Sequence, residues 1–158
     1  MTKLTVRVAN EKDLSDLVDM YLEYDKFFKD WCNDSKTLDR NDIEKRLYRI
    51  MFSKETFTRA IIAKYDTGPI GMIPFHKSFT PDYHCVQFEM PMAYINPKHR
   101  GFGYILFNKL TEIAHQENIK QLKWCVWGQN AYAKKLYQKM GAKSFAETDD
   151  EHWMYLDI

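Results

Sequence analysis

A chain of 158 residues has the size of one ordinary domain and can bury roughly two-thirds of its unfolded surface in a single core. Its 45% hydrophobic share is too apolar for a disordered chain. The balance of 23 Lys plus Arg against 22 Asp plus Glu leaves a formal charge of +1, so neither nucleic acid nor an anionic membrane is expected as a partner. Met1 to Arg7 contains no apolar stretch of signal-peptide type, and nowhere do about eighteen apolar residues run together as a spanning helix requires. The three cysteines, Cys32, Cys85 and Cys125, form neither a C-x-x-C metal pair nor an even disulfide set, which leads us to expect a reduced, cytoplasmic protein.

Leu4 to Val8 alternates apolar with polar residues and reads as a first strand. Asn10 is placed to cap a helix, with Asp13 as its capping-box partner. Leu14, Leu17, Val18, Tyr21, Leu22, Asp25 and Phe28 then mark one face of an amphipathic helix reaching about Asp30. Asp39 or Asn41 starts a second helix with Ile43, Leu47, Ile50 and Met51 as its buried stripe. Phe57–Tyr65 and Ile70–Phe75 flank Asp66-Thr67-Gly68-Pro69 and predict a hairpin. Cys85 to Ile95 reads as one long strand, with Pro91 implying a bulge or a lost pairing. Asn96-Pro97 ends it.

A helix follows Gly101 and Gly103, carrying Leu106, Leu110, Ile113 and Ala114 on one side. Gln121 to Trp127 is a strand. Asn130 caps a helix with Ala133, Leu136, Tyr137 and Met140 inward, and Gly141 stands where such a helix stops. Lys143–Thr148 and His152–Ile158 close the chain as a strand pair. With no internal repeat or shift in composition, residues 1–158 are expected to form a single α/β domain, a mixed and mostly antiparallel sheet flanked by helices on both faces.

Chemistry concentrates in Asn96-Pro97-Lys98-His99-Arg100-Gly101-Phe102-Gly103, between a strand and a helix. Glycines allow close backbone approach, the N–H groups of a helix N-terminus point at an anion, and Lys98 and Arg100 add positive charge. Downstream, Ala133 and Tyr137 share one face of the helix that Asn130 opens. That arrangement pairs a small residue with a phenol one turn further on. The order and spacing of these two elements resemble the GCN5-related N-acetyltransferase (GNAT) family. Arg100 and Gly103 match its Arg/Gln-x-x-Gly-x-Gly/Ala loop, and Asn130, Ala133 and Tyr137 match its downstream pattern. Within the family, Arg100-Gly101-Phe102-Gly103 and the ending Glu151-His152-Trp153 look most like the diamine and polyamine acetyltransferase branch.

The resemblance implies acetyl-CoA as cofactor, transfer to a primary amine acceptor, and pairing of two copies through terminal strands. It places the thioester and pantetheine against the backbone of Tyr94, Ile95 and Asn96, and the pyrophosphate at Arg100, Gly101, Phe102 and Gly103, continuing into Tyr104 and Ile105. Lys134 or Lys135 would approach the 3′-phosphate. A phenol, with its ordinary pKa of about 10, stays protonated at neutral pH, so Tyr137 is the expected general acid for the departing thiolate.

Two positions depart from the family pattern. Ile105 replaces a small residue, and either crowds the pyrophosphate or turns to the core. Pro91 stands where the polyamine branch carries its base; Glu89, two residues earlier on the strand, is the expected substitute, with His76, His84 and Tyr83 as rivals. By the same analogy Tyr24, Asp25, Phe28 and Trp31 would line the acceptor pocket, rings and carboxylate together suiting a cationic amine. A protein or antibiotic amine, or a GNAT-fold module that binds acyl-CoA without turnover, remain the alternatives. The five histidines show no ligand spacing, so no metal is expected.

Overall fold

The structure is a computed structural model and describes residues 3–32, 36–80 and 85–158. In chain order its elements are β1 (Thr5–Val8), α1 (Leu14–Cys32), α2 (Arg40–Phe52), β2 (Arg59–Tyr65), β3 (Gly68–Thr80), β4 (Cys85–Met90), β5 (Tyr94–Ile95), α3 (Gly103–Gln116), β6 (Gln121–Trp127), α4 (Ala131–Lys139), β7 (Lys143–Glu147) and β8 (Glu151–Asp157). The hydrogen-bonded strand order is β1-β2-β3-β4-β6-β8-β7, with β5 pairing β3 off this path. Only β4 and β6 are recorded as running parallel among the pairs whose register is described; the others are antiparallel. This is the expected α/β class with a mixed, mostly antiparallel sheet and four helices.

Two compact units divide the chain, Met1–Pro74 with Ala93–Lys109, and Phe75–Met92 with Leu110–Ile158, so that β3 and α3 each pass from one into the other. In the first, Ala60, Ile61, Ile62 and Ala63 are consecutive on β2 and all buried, which means that both faces of that strand are covered. Leu17 and Val18 of α1, Ile43, Leu47 and Met51 of α2, and Leu106 and Phe107 of α3 complete its core. The α1 entry is built as the sequence anticipates: Asn10 accepts from the Lys12 N–H, and the Asp13 carboxylate accepts from the Asn10 N–H at 2.9 Å. Asp39 caps α2 in the same manner, accepting from Asp42 N at 2.9 Å.

In the second unit β6 alternates from its second residue on: Leu122, Trp124 and Val126 are buried, while Lys123, Cys125 and Trp127 are half-buried. Phe75, Phe88, Leu110, Ile113, Ala114 and Met154 are buried in the same unit, and Phe75 meets Phe88 edge-on at 5.0 Å. Asn130 caps α4 by accepting from Ala133 N at 3.1 Å, and Gly141 follows the helix with φ +90°, as expected for its stop.

Two strands differ from the sequence reading. The expected single strand over Cys85–Ile95 breaks after Met90, and its far end is the separate two-residue β5, paired to β3 alone. Pro91 has no N–H for a ladder and sits at the break. Strand β3 continues past Phe75 to Thr80, because His76 to Thr80 pair in register with Glu89 back to Cys85.

Candidate functional site

The loop between β5 and α3 is fixed by its own backbone. Asn96 N donates to Ile70 O at 2.7 Å, extending the β3–β5 pairing by one rung. The Asn96 side chain accepts from Lys98 N at 3.0 Å, and His99 N donates to Asn96 O at 2.8 Å, closing a 3-10 turn over Pro97–His99. Gly101 has φ +99°, and a Cβ there would meet nothing within 4 Å, so the residue serves conformation rather than space. Helix α3 then begins at Gly103, with Ile105 N donating to Phe102 O at 3.1 Å.

The N–H groups of Gly103 and Tyr104 lie in the first turn, where a helix supplies no carbonyl partner. That turn carries no carboxylate, and the side chains of Lys98 and Arg100 are exposed beside it. Unopposed N–H donors, the positive end of a helix and two cations are the donor set of a phosphate site. The residues therefore fit a pyrophosphate. Ile105 is half-buried next to fully buried Leu106 and Phe107, and Tyr104 is exposed.

Gly71 is a residue of this region that the sequence reading passed over. A Cβ on it would stand 2.4 Å from Tyr94 O and 2.7 Å from Ile95 Cδ1. Only glycine lets β3 and β5 approach as they do, and a lone glycine inside a strand pattern was the available signal. Tyr94 is half-buried, and burial raises its phenol above the ordinary range, with the negative charge of Glu23 adding to the effect.

On α1, Tyr24 and Phe28 stack at 6.4 Å with planes 16° apart, and Phe28 remains 44% exposed. Asp25 is engaged by Lys29 at 2.8 Å, so that its charge is already partnered within the helix. The side chain of Trp31 lies outside the described residues, as do Tyr83 and His84.

The second unit holds the remaining candidates. Tyr137 is half-buried with its ring 4.9 Å from that of Trp124, tilted by 59°. Asn130 is the α4 cap described above, and Ala133, whose N–H it accepts, is half-buried one turn before Tyr137. Lys134 donates to Gly128 O at 2.6 Å, which ties its ammonium to the turn before α4; Lys135 is exposed. Glu89 is half-buried on β4, in register with His76 on β3 and Lys123 on β6. Two of the rival bases thus come together on neighbouring strands. The Lys123 ammonium stands 5.3 Å and 5.1 Å from the ring centres of Phe145 and Trp153. At Cys125, burial raises the thiol, the charge of Glu151 adds to this, and a bond from the His152 backbone only partly offsets both. A thiol held protonated is a poor nucleophile.

Among solved structures the fold has many counterparts. An integron cassette protein from the mobile metagenome of Vibrio cholerae superposes with a TM-score of 0.77 at 22% identity, over 92% of this chain and 88% of the other. The PaiA N-acetyltransferase of Thermoplasma acidophilum, solved in complex with coenzyme A, gives 0.69 at 17% identity and 99% of both chains. The spermidine N-acetyltransferase of Vibrio cholerae, in complex with CoA and spermine, gives 0.71 at 16% identity, covering 98% of this chain and 95% of that one. By sequence, no curated protein matches the chain. The family model for the acetyltransferase (GNAT) family matches residues 18–142, and with that span and this fold, the chain belongs to the GNAT acetyltransferase family.

Proposed function

We propose that this protein transfers an acetyl group from acetyl-CoA to a primary amine, the acceptor being a small cationic amine of diamine or polyamine type. One observation carries the reading: the loop from Asn96 to Tyr104 presents helix N-terminal N–H donors and Arg100 around a left-handed glycine, with no carboxylate in the first helical turn. Family membership supports the reading, and so do related folds solved with coenzyme A and with spermine.

Acetyl-CoA, when bound, supplies an activated thioester. The chain's own residues do the rest. Arg100 and the N–H groups of Gly101, Gly103 and Tyr104 hold the pyrophosphate, with Phe102, whose own N–H donates to His99 O at 3.3 Å, shaping the turn between them. The backbone of Tyr94, Ile95 and Asn96 would orient the pantetheine, with the Ile95 N–H, which falls between the rungs at Tyr94 and Asn96, as the donor for the thioester oxygen. Ile105 lies along the same turn. A primary amine has an ordinary pKa of about 10.4 and must shed a proton before it attacks, a task we assign to Glu89. Tyr137 holds its phenolic proton for the departing sulfur. Tyr24 and Phe28 offer ring faces to the cationic acceptor, and Asp25, whose charge is engaged by Lys29, would exchange that partner for the amine.

The whole chain of 1–158 is read as one such domain acting in the cytoplasm; among the described residues no helix is long and apolar enough to cross a membrane. We also infer a homodimer joined at β7. This strand ends the strand order and is exposed throughout, the position from which an edge strand pairs with a second copy.

Calorimetric titration with acetyl-CoA, followed by a thiol-release assay over polyamines, aminoglycosides and peptides, tests the reading. Saturable one-site binding with turnover on diamines or polyamines is expected. Turnover restricted to aminoglycosides or peptides would reassign the acceptor. No heat at high micromolar acetyl-CoA, confirmed by a second method, would overturn the enzyme reading in favour of a binding module with another ligand.

A further inference from the structure

In the basic run Lys98-His99-Arg100, the outer two side chains are exposed and the middle one turns inward. The His99 ring lies 5.9 Å from that of Tyr65, the last residue of β2, at 56°. On its other side it meets Phe102 edge-on, at 6.2 Å and 88°. Its backbone is engaged as well: His99 N donates to Asn96 O at 2.8 Å, and His99 O accepts from Phe102 N at 3.3 Å. One residue therefore links the 3-10 turn before Arg100 to the residue preceding α3, and joins both to the end of β2. Gly101, the most permissive residue of the loop, lies between these two anchor points with φ +99° and open space around it. Without an anchor, that glycine leaves Arg100 and the loop N–H groups free to disperse, and ordering them on binding costs affinity.

We propose that His99 is a positioning residue of the anion-binding loop: its ring, clamped between Tyr65 and Phe102, holds the backbone from Arg100 to Gly103 in the arrangement that takes the pyrophosphate of coenzyme A. The proposal rests on the coenzyme A reading above. It assigns the role to ring packing, because both neighbours are aromatic and the contacts are of the tilted and edge-on kinds that aromatic pairs favour. The effect is confined to ligands that carry the pyrophosphate.

The test is calorimetric titration of the full chain with coenzyme A for the wild type, His99→Ala, His99→Phe and Tyr65→Leu, with thermal melts of each unliganded protein. Alongside it, kcat/KM is measured with acetyl-CoA and with acetyl-pantetheine, which lacks the pyrophosphate. His99→Ala and Tyr65→Leu are expected to weaken coenzyme A binding on the order of tenfold, the worth of an aromatic pair. His99→Phe, which keeps a ring, is expected to stay within about threefold of wild type. With acetyl-pantetheine all four proteins should give the same kcat/KM. Wild-type affinity in His99→Ala would overturn the clamp while leaving the coenzyme A reading intact. So would equal losses on both donors, or a His99→Phe protein as weak as His99→Ala. Failure of the wild type itself to bind coenzyme A removes the reading, and the clamp with it.

Discussion

The ring of Tyr137 on α4 packs against the indole of Trp124 on β6, 4.9 Å between centres and tilted by 59°. Trp124 is 2% exposed and belongs to the core, whereas Tyr137 is half-buried. The contact fixes the ring independently of its hydroxyl. Tyr137→Phe therefore keeps the packing and removes only the oxygen, costing about 1 kcal/mol of stability or less. If the hydroxyl supplies the proton to the thiolate, kcat falls by about a hundredfold with little change in KM for acetyl-CoA. Steady-state kinetics beside a thermal melt check this, and an unchanged kcat across the pH range would remove Tyr137 from the chemistry.

The carboxylate of Asp13 is 2% exposed and yet ionised by its surroundings. Burial alone would raise its pKa, but two hydrogen bonds from Arg7 at 2.6 Å and 2.9 Å, one from Asn10 N, and the charges of Arg7 and Lys64 together bring it below the usual carboxylate range. Lys64 also pairs with Asp16, on the first turn of α1. Because the folded value is lowered, Asp13 contributes fully above its unfolded pKa of about 3.9, and the contribution is lost as pH falls through the folded value. Arg7→Ala would leave a buried carboxylate with Lys64 at 3.7 Å as its nearer remaining cation, destabilising the protein by about 3 kcal/mol at pH 7. Urea unfolding at pH 7 and pH 3.5 is expected to show the variant's deficit shrinking at the lower pH.

These relationships differ in how far the sequence exposes them. Asn10, Asp39 and Asn130 were legible as caps because a cap is local: a short side chain meets an N–H two or three residues on. The loop from Asn96 to Gly103 was legible for the same reason. The split of Cys85–Ile95 was not, since apolar residues continue across Pro91 and only the pairing of Tyr94 and Ile95 with β3 shows where they belong. His76, Lys77 and Ser78 are consecutive polar residues with no strand alternation, and the segment becomes strand through its register with β4. The same register sets His76 beside Glu89, thirteen positions away in sequence, a pairing no local pattern encodes. The Lys29 partner of Asp25, by contrast, stands at i,i+4 and was there to be read.

Asn130 carries a cap and, by the proposed function, a place in the cofactor pattern. Replacing it with alanine leaves Ala133 N without the acceptor now at 3.1 Å, at a cost of about 1 kcal/mol. Asn130→Asp keeps an acceptor there and should restore both the melting temperature and kcat. Restoration of stability without activity would give the amide a role beyond capping.

Gly71→Ala tests whether the approach of β3 to β5 governs cofactor binding. The new Cβ would lie 2.4 Å from Tyr94 O and 3.1 Å from Leu106 Cδ1, contacts that backbone cannot yield cheaply. Stability should fall by about 2 kcal/mol, as overpacking of this kind costs. Displacement of Tyr94, Ile95 and the rung at Asn96 should weaken coenzyme A binding more than Ile105→Ala does, since the latter leaves the strand pairing untouched. Equal affinities in the two variants would separate the β5 backbone from the binding of the cofactor.

Glu89 and His76 occupy one cross-strand register position on β4 and β3, and Lys123 occupies the corresponding position on β6. The Lys123 ammonium is drawn toward the rings of Phe145 and Trp153, which leaves it poorly placed to serve as a counter-ion for Glu89. A half-buried carboxylate is a competent acceptor for an amine's proton, and His76, at the same register position on the neighbouring strand, is its rival. Glu89→Gln is then expected to lower kcat by about a hundredfold, and His76→Gln to change kcat less than tenfold. The reverse order would move the base to His76. Wild-type kcat in both single variants and in the double variant would mean that the amine reaches the thioester already neutral.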